Sequence, residues 1–252
     1  MLAQVNYDHR QHTVYQQGRG LRPDRIAVWM DEFANHAPVA RPLTVLDLGS
    51  GTGRFTPALA DTFGGPAYGV EPSDKMRAVA ASESAHPDVT YLAGSAESIP
   101  LPEESCDVVL MFLSFHHVQQ REIAAKEIAR VLRPGGRVLI RSVFSDRMPD
   151  LRWHHFFPRA RDIEMQMFPT SDSVIQLFAD VGLRPLALTA IEEEFAPDLA
   201  TYASRIRLRA ISTFEHLTEQ EFAEGIARMD ATVAAVTDPE PVTASSDTLV
   251  LG

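Results

Sequence analysis

The sequence predicts an α/β fold in which a mostly parallel sheet lies between two layers of helices. Short apolar runs at residues 45–48 and 106–113 suit strands that are buried on both faces. Amphipathic helical patterns, as at residues 23–36 and 122–132, alternate with these runs. In the second of these helices Ile123, Ile128, Val131 and Leu132 are predicted to form the apolar face. The chain has 252 residues, of which 45% are apolar, so it can form one α/β domain with an appendage.

The segment at residues 44–53 joins the first strand to the first helix of the sheet. Three glycines at alternate positions, Gly49, Gly51 and Gly53, follow the apolar run, and a helix is predicted at residues 54–60. Glycine permits a sharp turn and a close approach of a ligand to the backbone, and a helix N-terminus attracts anions. The segment therefore predicts a nucleotide-binding turn, with a tight turn that binds no ligand as the alternative.

The spacing of these glycines differs from the dinucleotide-binding pattern G-x-G-x-x-G. Here the third glycine follows the second after a single residue, and Asp47 stands two residues before the first glycine. The pattern D-x-G-x-G-x-G resembles the first motif of class I S-adenosylmethionine (SAM)-dependent methyltransferases. The resemblance implies that Asp47 and the three glycines belong to a SAM site.

Glu71 ends the second predicted strand, at residues 67–70, about twenty residues after the glycines. In nucleotide-binding folds a ribose diol lies at this point, and a carboxylate can accept both of its hydrogen bonds. A solvated glutamate at a strand end is the alternative. Pro72 follows, and the next helix, which begins near Ser73, places Met76 where it could lie against an adenine ring.

The loop after the third strand, at residues 94–102, resembles the adenine-contacting loop of the same family. Its candidates for cofactor binding are Ser95, Ala96 and Glu97. The family commonly has an acidic residue where this chain has Ser95, so the adenine amino group would be met by the Ser95 hydroxyl, by Glu97 or by water. Alternatively, Glu97 caps a short helix of its own loop.

The central strand at residues 106–113 contributes Phe112 to the cofactor candidates and leads into His116 and His117. Ligands bind at the carboxyl ends of parallel strands, and histidine has the right ordinary pKa for a base near neutral pH. Both are therefore candidate catalytic residues, with His117 preferred. Alternatively, one packs beneath the next helix and the other caps it. The proline-aromatic motif of DNA amino-group methyltransferases is absent here.

The turn at residues 130–136, Arg-Val-Leu-Arg-Pro-Gly-Gly, also resembles this family. With the glycine motif and Glu71, it identifies the chain as a member of the small-molecule group of class I methyltransferases (methyltransferase type 11, ubiquinone-biosynthesis-like). The resemblance implies a Rossmann-like seven-stranded sheet with an antiparallel last strand and a small helical cap. It further implies SAM as cofactor, S-adenosylhomocysteine (SAH) as product, and methyl transfer to O, N or C of a small molecule.

Residues 1–22 are polar and do not have the pattern of a core element. Tyr7, Tyr15 and Arg19 are arranged as in the N-terminal segment of many small-molecule methyltransferases, which closes over the methionine end of SAM. This resemblance makes Tyr15 and Arg19 cofactor-binding candidates, because an arginine fork matches a carboxylate. A loosely attached terminal arm is the alternative.

We predict four regions: a lid and helix, a SAM-binding core, a helical cap or substrate region, and the completion of the sheet. Their bounds are, in that order, 1–36; 37–144; 145–170 with 197–238; and 171–196 with 239–252. The first cap segment has an irregular pattern, and its aromatic and methionine residues suit an apolar substrate wall or the packing of a connecting helix. In the second cap segment, residues 198–214 and 218–236 have helical patterns. His154 and His155 lack further ligands at metal-binding spacing, so no metal is expected. Of the arginines at 205, 207 and 209, most are expected to be solvated.

Composition excludes several classes of function. A net charge of −11 argues against a nucleic-acid surface, and the single cysteine, Cys106, against disulfides and a multi-cysteine zinc site. The sequence has no leader pattern and no long apolar run, so we expect a cytoplasmic protein without a membrane span, as a monomer or homodimer. An NAD(P)-dependent oxidoreductase and a non-enzymatic SAM-binding module are the alternative functions.

Overall fold

The structure, a computed structural model that describes residues 5 and 7–252, is built on one seven-stranded sheet. Its strands are β1 (Val45–Leu48), β2 (Ala67–Glu71), β3 (Val89–Ala93), β4 (Cys106–Phe112), β5 (Leu132–Ser142), β6 (Pro185–Ala196) and β7 (Val242–Leu251). They lie in the order β3-β2-β1-β4-β5-β7-β6, and only β7 runs antiparallel to its neighbours. The predicted mostly parallel sheet with an antiparallel last strand is confirmed.

Nine α-helices are present among the described residues. They are α1 (His12–Arg19), α2 (Pro23–His36), α3 (Thr56–Phe63), α4 (Asp74–Glu83), α5 (Arg121–Val131), α6 (Pro158–Met167), α7 (Ser171–Ala179), α8 (Leu199–Arg207) and α9 (Glu219–Ala235). A π-helical turn at Tyr7–Gln11 precedes α1, and short 3-10 turns lie at Phe115–His117, Ser145–Arg147, Arg152–His155 and Ser212–His216. No helix in this part of the chain is long and apolar enough to cross a membrane.

Both faces of the sheet are covered, because successive side chains of a strand point to opposite sides. One face packs on α5 and α7 through Ile128 and Phe178, with Val109 among the strand residues. The other packs on α2 and α3 through Phe33 and Leu59. Burial on both sides explains why the strands read as continuous apolar runs.

Three local predictions need correction. Ile123, predicted on the inner face of α5, is 43% exposed, since at 100° per residue it lies outside the stripe of Ala124, Ile128 and Val131.

The helix predicted from Asp198 to Phe214 ends at Arg207, and Arg209 then adopts a positive φ of 51° that no α-helix continues through. The first cap segment is not irregular, because it contains α6.

The three arginines near the end of α8 are also less solvated than predicted. Arg207 is exposed and pairs with Asp230, whereas Arg205 donates to the carbonyl of Phe195. The Arg209 side chain is only 13% exposed and donates to the backbone carbonyls of Phe214 and Leu217. Two of these three side chains therefore hold the backbone of the cap in place.

The N-terminal segment bridges the sheet layer and the cap. Asp8 accepts hydrogen bonds from Ser73 Oγ (2.6 Å) and from the backbone N–H of Lys75 (3.1 Å) at the start of α4. Gln11, 1% exposed, donates to the carbonyl of Arg209 (3.1 Å) in the cap. The segment is polar because its contacts are hydrogen bonds. The portion of the predicted lid at residues 1–4 and 6 lies outside the described residues.

The helical cap has an apolar core of its own, built from α6, α8, α9 and the adjoining ends of β6 and β7. The Phe157 ring lies 4.9 Å from that of Phe214 and 5.5 Å from that of Phe222. Gly225 faces this cluster, and a Cβ there would stand 2.0 Å from the Phe157 ring. The cap therefore has a buried core with no room for a larger side chain at Gly225.

We expect Phe157→Ala to lower the free energy of unfolding by about 3–5 kcal/mol, because it opens a cavity in the middle of the cap. Urea denaturation followed by tryptophan fluorescence measures the change. The matched control is Met165→Ala on α6, whose side chain is 45% exposed, and it should cost less than about 0.5 kcal/mol. Similar small losses in the two variants would contradict a packed cap core.

Candidate functional site

Two neighbouring cavities open where the parallel strands end. The first, the glycine-loop cavity, has a volume of about 930 Å³ including its open mouth. The second, the cap-side chamber, measures about 620 Å³ on the same basis and lies between the sheet and the cap. The two share a wall made of Tyr7, Tyr15, Leu113 and His117. Molecules bound in the two cavities would adjoin each other at this wall.

Most of the predicted cofactor residues line the glycine-loop cavity. They are Tyr15, Gly49, Gly51, Glu71, Pro72, Met76, Ser95, Ala96, Glu97 and Phe112. Four other predicted site residues do not: Arg19 and His116 line the cap-side chamber, and Asp47 and Gly53 line neither cavity. The sequence pattern thus located the cavity but did not distinguish the residues that face it from those that support it.

The three glycines of the loop differ in what a side chain at each position would meet. A Cβ on Gly49 would stand 2.5 Å from Ser114 Cβ, so glycine is needed for the close approach of β1 to the end of β4. A Cβ on Gly53 would stand 2.2 Å from the Tyr91 hydroxyl, on the side away from the cavity. Gly51 faces the cavity, where the nearest side-chain atoms to a Cβ are 3.5 Å away on Met76. Only Gly51 leaves open space for a ligand.

Glu71 connects the glycine loop to the next helix. Its carboxylate accepts one hydrogen bond from the Gly51 backbone N–H (3.0 Å) and another from the Ser73 backbone N–H (2.9 Å). The residue is 8% exposed, and burial raises the pKa of its carboxyl group, an effect that the two backbone donors oppose. The carboxylate is therefore held in one position at the cavity wall.

Asp47 supports the loop from beneath. Its carboxylate accepts a hydrogen bond from Thr56 Oγ1 (2.7 Å), which joins the end of β1 to the first residue of α3. Burial is the largest influence on this group and raises its pKa to about 6, while the Thr56 hydrogen bond and Arg54 act in the opposite direction. The motif position is thus a structural link below the cavity floor.

Glu97 has a structural partner as well as a place in the cavity wall. One carboxylate oxygen accepts from the backbone N–H groups of Gln119 (3.1 Å) and Gln120 (3.3 Å), just before α5. The predicted short helix in its own loop is wrong, because Ser95 and Ser98 form an isolated antiparallel bridge there. Glu97 therefore accepts the backbone hydrogen bonds just before α5, and neither histidine of the preceding turn caps this helix.

The histidine pair lies in a 3-10 turn after β4, where His117 belongs to the shared wall and His116 lines the cap-side chamber. Tyr7 Oη and His117 Nε2 are 2.8 Å apart, and the two imidazole rings lie 4.0 Å apart. Burial lowers the pKa of His117 to about 4, with His216 adding to the effect. Burial, with His117 adding to it, also lowers the pKa of His116 well below its ordinary value. Burial also raises the pKa of Tyr7, so its hydroxyl keeps its proton and donates to a neutral His117.

Leu113 occupies the same wall in an unusual backbone conformation. It has a φ of +51° although it is not glycine, and it directly follows the last residue of β4. Such conformations cluster at functional sites, where the surrounding structure holds them. Leu113 thus introduces the turn that carries His116 and His117.

The cap-side chamber contains several residues that the sequence analysis did not single out. Arg141 on β5 is 2% exposed and donates to Glu193 Oε2 (2.6 Å). Ser246 on β7 is 5% exposed. A charged residue inside the apolar run of β5 was the signal that could have identified Arg141.

Glu164 on α6 also lines the chamber and is fully hydrogen-bonded. It accepts from Trp153 Nε1 (3.0 Å) and Thr213 Oγ1 (2.9 Å), and its second oxygen lies 2.6 Å from His154 Nε2. His155 points elsewhere and pairs with Asp150. Within the described residues no group of three histidine, cysteine or acidic residues is placed to hold a metal ion.

Known proteins share this architecture. A family model described as a methyltransferase domain matches residues 46–140. An uncharacterized methyltransferase from Mycobacterium bovis is 37% identical over 139 residues, which cover 55% of this chain and 52% of that protein. One from Geobacillus kaustophilus is 30% identical over 147 residues, covering 55% and 67% respectively. A crystal structure from Anabaena variabilis, assigned as a methyltransferase of an antibiotic biosynthesis pathway, aligns with a TM-score of 0.71 at 21% identity, covering 90% of this chain and 99% of that one.

This chain belongs to the class I SAM-dependent methyltransferases, as its sheet order, glycine loop and relatives together show. The family predicted from the sequence is thereby confirmed. The chain spans about half the length of the first curated relatives that it matches. None of these matches supports the alternative of an oxidoreductase.

The pKa of Asp47 predicts a pH dependence of stability. Because the folded-state pKa of about 6 lies above the ordinary 3.8, the stabilising contribution is complete below about pH 4 and is lost as the pH rises through 6. Asp47→Asn keeps an oxygen for Thr56 and removes the charge. From pH 4 to pH 7 it should therefore gain up to about 3 kcal/mol of unfolding free energy relative to wild type.

Urea denaturation at about pH 4, 5.5 and 7 measures this difference, with the exposed Asp162→Asn on α6 as the matched control. The control should track the wild type at every pH. A difference between Asp47→Asn and wild type that does not change with pH would contradict a raised pKa at this position.

Proposed function

We propose that this protein transfers the methyl group of SAM to an O, N or C atom of a small molecule in the cap-side chamber. The observation that carries the proposal is the shared wall between the two cavities. One cavity presents a glycine loop and a fixed carboxylate, and the other is enclosed by the cap. That arrangement suits a cofactor and an acceptor that meet at one point.

The residues around the glycine-loop cavity fit SAM by their chemistry. Glu71 has a carboxylate that can accept hydrogen bonds from a ribose diol, and Gly51 leaves room for a ligand beside the backbone. Met76, Pro72 and Ala96 are apolar surfaces for an adenine ring, with Ser95 and Glu97 near its polar edge. Tyr15 and Phe112 would adjoin the methionine part.

Bound SAM would supply an activated methyl group on a positively charged sulfonium. Because this charge disappears as the methyl group moves, a site that excludes water favours the reaction. Tyr7 and Tyr15 close the wall from the N-terminal side, and Leu113 and His117 from the sheet side. These residues would hold the two reactants in line, which supplies much of the rate.

His117 is better suited to positioning than to base catalysis. A pKa of about 4 makes its imidazole a weak base at neutral pH, although it stays uncharged there and can accept a hydrogen bond. Its Nε2 is already engaged by Tyr7. We therefore propose that Tyr7 and His117 act as a pair that fastens the N-terminal segment to the wall. His116, on the chamber side, would contact the acceptor.

The same cavities bear on the remaining alternative, a SAM-binding module without catalysis. Such a module needs only the glycine-loop cavity. The second chamber, whose lining residues include several with buried, unpartnered polar atoms, favours an enzyme.

The cofactor assignment predicts that Glu71→Ala weakens SAH binding by about ten- to a hundredfold, because hydrogen bonds to a charged group contribute about 1.5–3 kcal/mol. Isothermal titration calorimetry measures the affinity. Glu83→Ala is the matched control, since it removes an exposed carboxylate at the far end of α4. Unchanged SAH affinity in folded Glu71→Ala, or tighter binding of NAD than of SAH by wild type, would contradict the assignment.

The positioning role predicts that His117→Asn and Tyr7→Phe lower kcat by similar factors, each less than about 10²-fold, because both release the same contact. The pH profile of kcat should keep the wild-type shape between about pH 6 and pH 9. The assay follows SAH formation with an identified acceptor, and SAH affinity is measured alongside. A loss of about 10²–10⁴-fold in His117→Asn alone, with SAH binding intact, would instead identify His117 as a general base.

A further inference from the structure

Four arginines surround a recess that adjoins the cap-side chamber. This arginine cluster consists of Arg19, Arg54, Arg141 and Arg205, and Glu193 is the one carboxylate among the residues that line the recess. Four positive charges thus face one negative charge, in a chain whose net charge is −11. Arg19 and Arg141 line both the recess and the chamber, so the positive charge extends to the acceptor side.

Several hydrogen-bond donors of the cluster have no acceptor. Arg141 uses one terminal nitrogen on Glu193, but its Nε is buried and has no hydrogen-bond partner. Arg54 donates to the carbonyl of Arg19, and its Nε is likewise buried without a partner. Among the described residues, the Arg19 guanidinium group donates no hydrogen bond. Unsatisfied buried donors are costly, so their presence together indicates a ligand.

Two further residues that line the chamber each carry an unpartnered polar atom. The atoms are Ser246 Oγ and His116 Nδ1, on side chains that are 5% and 8% exposed. A hydroxyl and a neutral imidazole can both donate a hydrogen bond. With Arg141 Nε, three residues that line the chamber thus carry a buried donor without a partner.

The arginines disfavour one another's charge. Burial is the main reason that the pKa of Arg141 falls to about 10; Glu193 opposes the fall, and Arg19 and Arg54 add to it. Burial also lowers the pKa of Arg54, and Arg19 adds to that effect. An anion bound among these groups would replace repulsion by attraction.

We infer that the methyl acceptor carries an anionic group, a carboxylate or a phosphate, that binds between Arg19 and Arg141 and accepts a hydrogen bond from Ser246. This inference rests on the proposed function. A guanidinium fork matches the geometry of both anions. Trp153, Phe168 and Phe195 line the same chamber and suit an apolar body attached to the anionic group.

The competing occupant is the carboxylate of the cofactor itself, which the sequence resemblance assigned to Arg19. The position of the residues favours the acceptor, because Arg19, Arg141 and Ser246 all line the cap-side chamber and none lines the glycine-loop cavity. An experiment on protein already saturated with SAH separates the two, since the cofactor carboxylate is then present in its own site.

The test titrates SAH-saturated protein with benzoate and with inorganic phosphate by isothermal titration calorimetry. Wild type should bind at least one of the two saturably, and the preferred probe identifies a carboxylate or a phosphate acceptor. Arg19→Gln should weaken that binding by about tenfold or more, and Ser246→Ala by about threefold or more. Arg207→Gln, which removes the same charge from an exposed, Asp230-paired position in the cap, should leave it unchanged.

Each other result has a definite meaning. SAH binding without any saturable probe binding overturns this inference and leaves the proposed function intact, whereas failure to bind SAH overturns the proposed function itself. Weaker SAH binding in Arg19→Gln with unchanged probe binding would show that Arg19 binds the carboxylate of the cofactor, and would overturn the inference. An equal loss of probe binding in Arg207→Gln would show that the probe responds to the overall charge of the protein and would overturn the inference.

Discussion

The carboxylate of Glu71 is the point on which the arrangement of the site depends. By accepting from the N–H groups of Gly51 and Ser73, it holds the glycine loop against the start of α4. Ser73 in turn donates to Asp8, so the N-terminal segment is tied to the same place. Tyr7, next to Asp8, then reaches His117 and closes the wall between the two cavities. Buried backbone donors need partners, and here a single side chain supplies two of them.

Charge is divided across that wall. Asp47 and Glu71 lie on the side of the glycine loop, where burial raises both of their pKa values. Arg19 and Arg141 line the cap-side chamber, where burial lowers the pKa of Arg141. Between them stand two histidines that burial keeps neutral. In the proposed reaction, a cationic cofactor and an anionic acceptor would each meet groups of opposite charge and face each other across a neutral wall.

Local sequence patterns predicted most of the fold. Residues 23–36 form α2 with the expected bounds, since Pro23 begins the helix and the apolar face repeats at helical spacing. The same reasoning failed where tertiary contacts or backbone geometry outweighed it. The helix predicted after Asp198 is interrupted at Arg209, whose side chain is drawn back onto backbone carbonyls of the cap. Ile123 fits an apolar pattern but lies on the solvent side of α5.

The sequence by itself determined the parallel sheet, the glycine turn and the carboxylate after β2, because apolar periodicity, turn chemistry and short spacings act between residues close in the chain. Only the tertiary structure decided which motif residues face a cavity. It placed Asp47 and Gly53 outside both cavities, and it placed Arg19 in the wall of the cap-side chamber. It also joined Tyr7 to His117, 110 positions apart, and Arg141 to Glu193, 52 apart. Such contacts depend on how whole layers pack, and no local pattern encodes that packing.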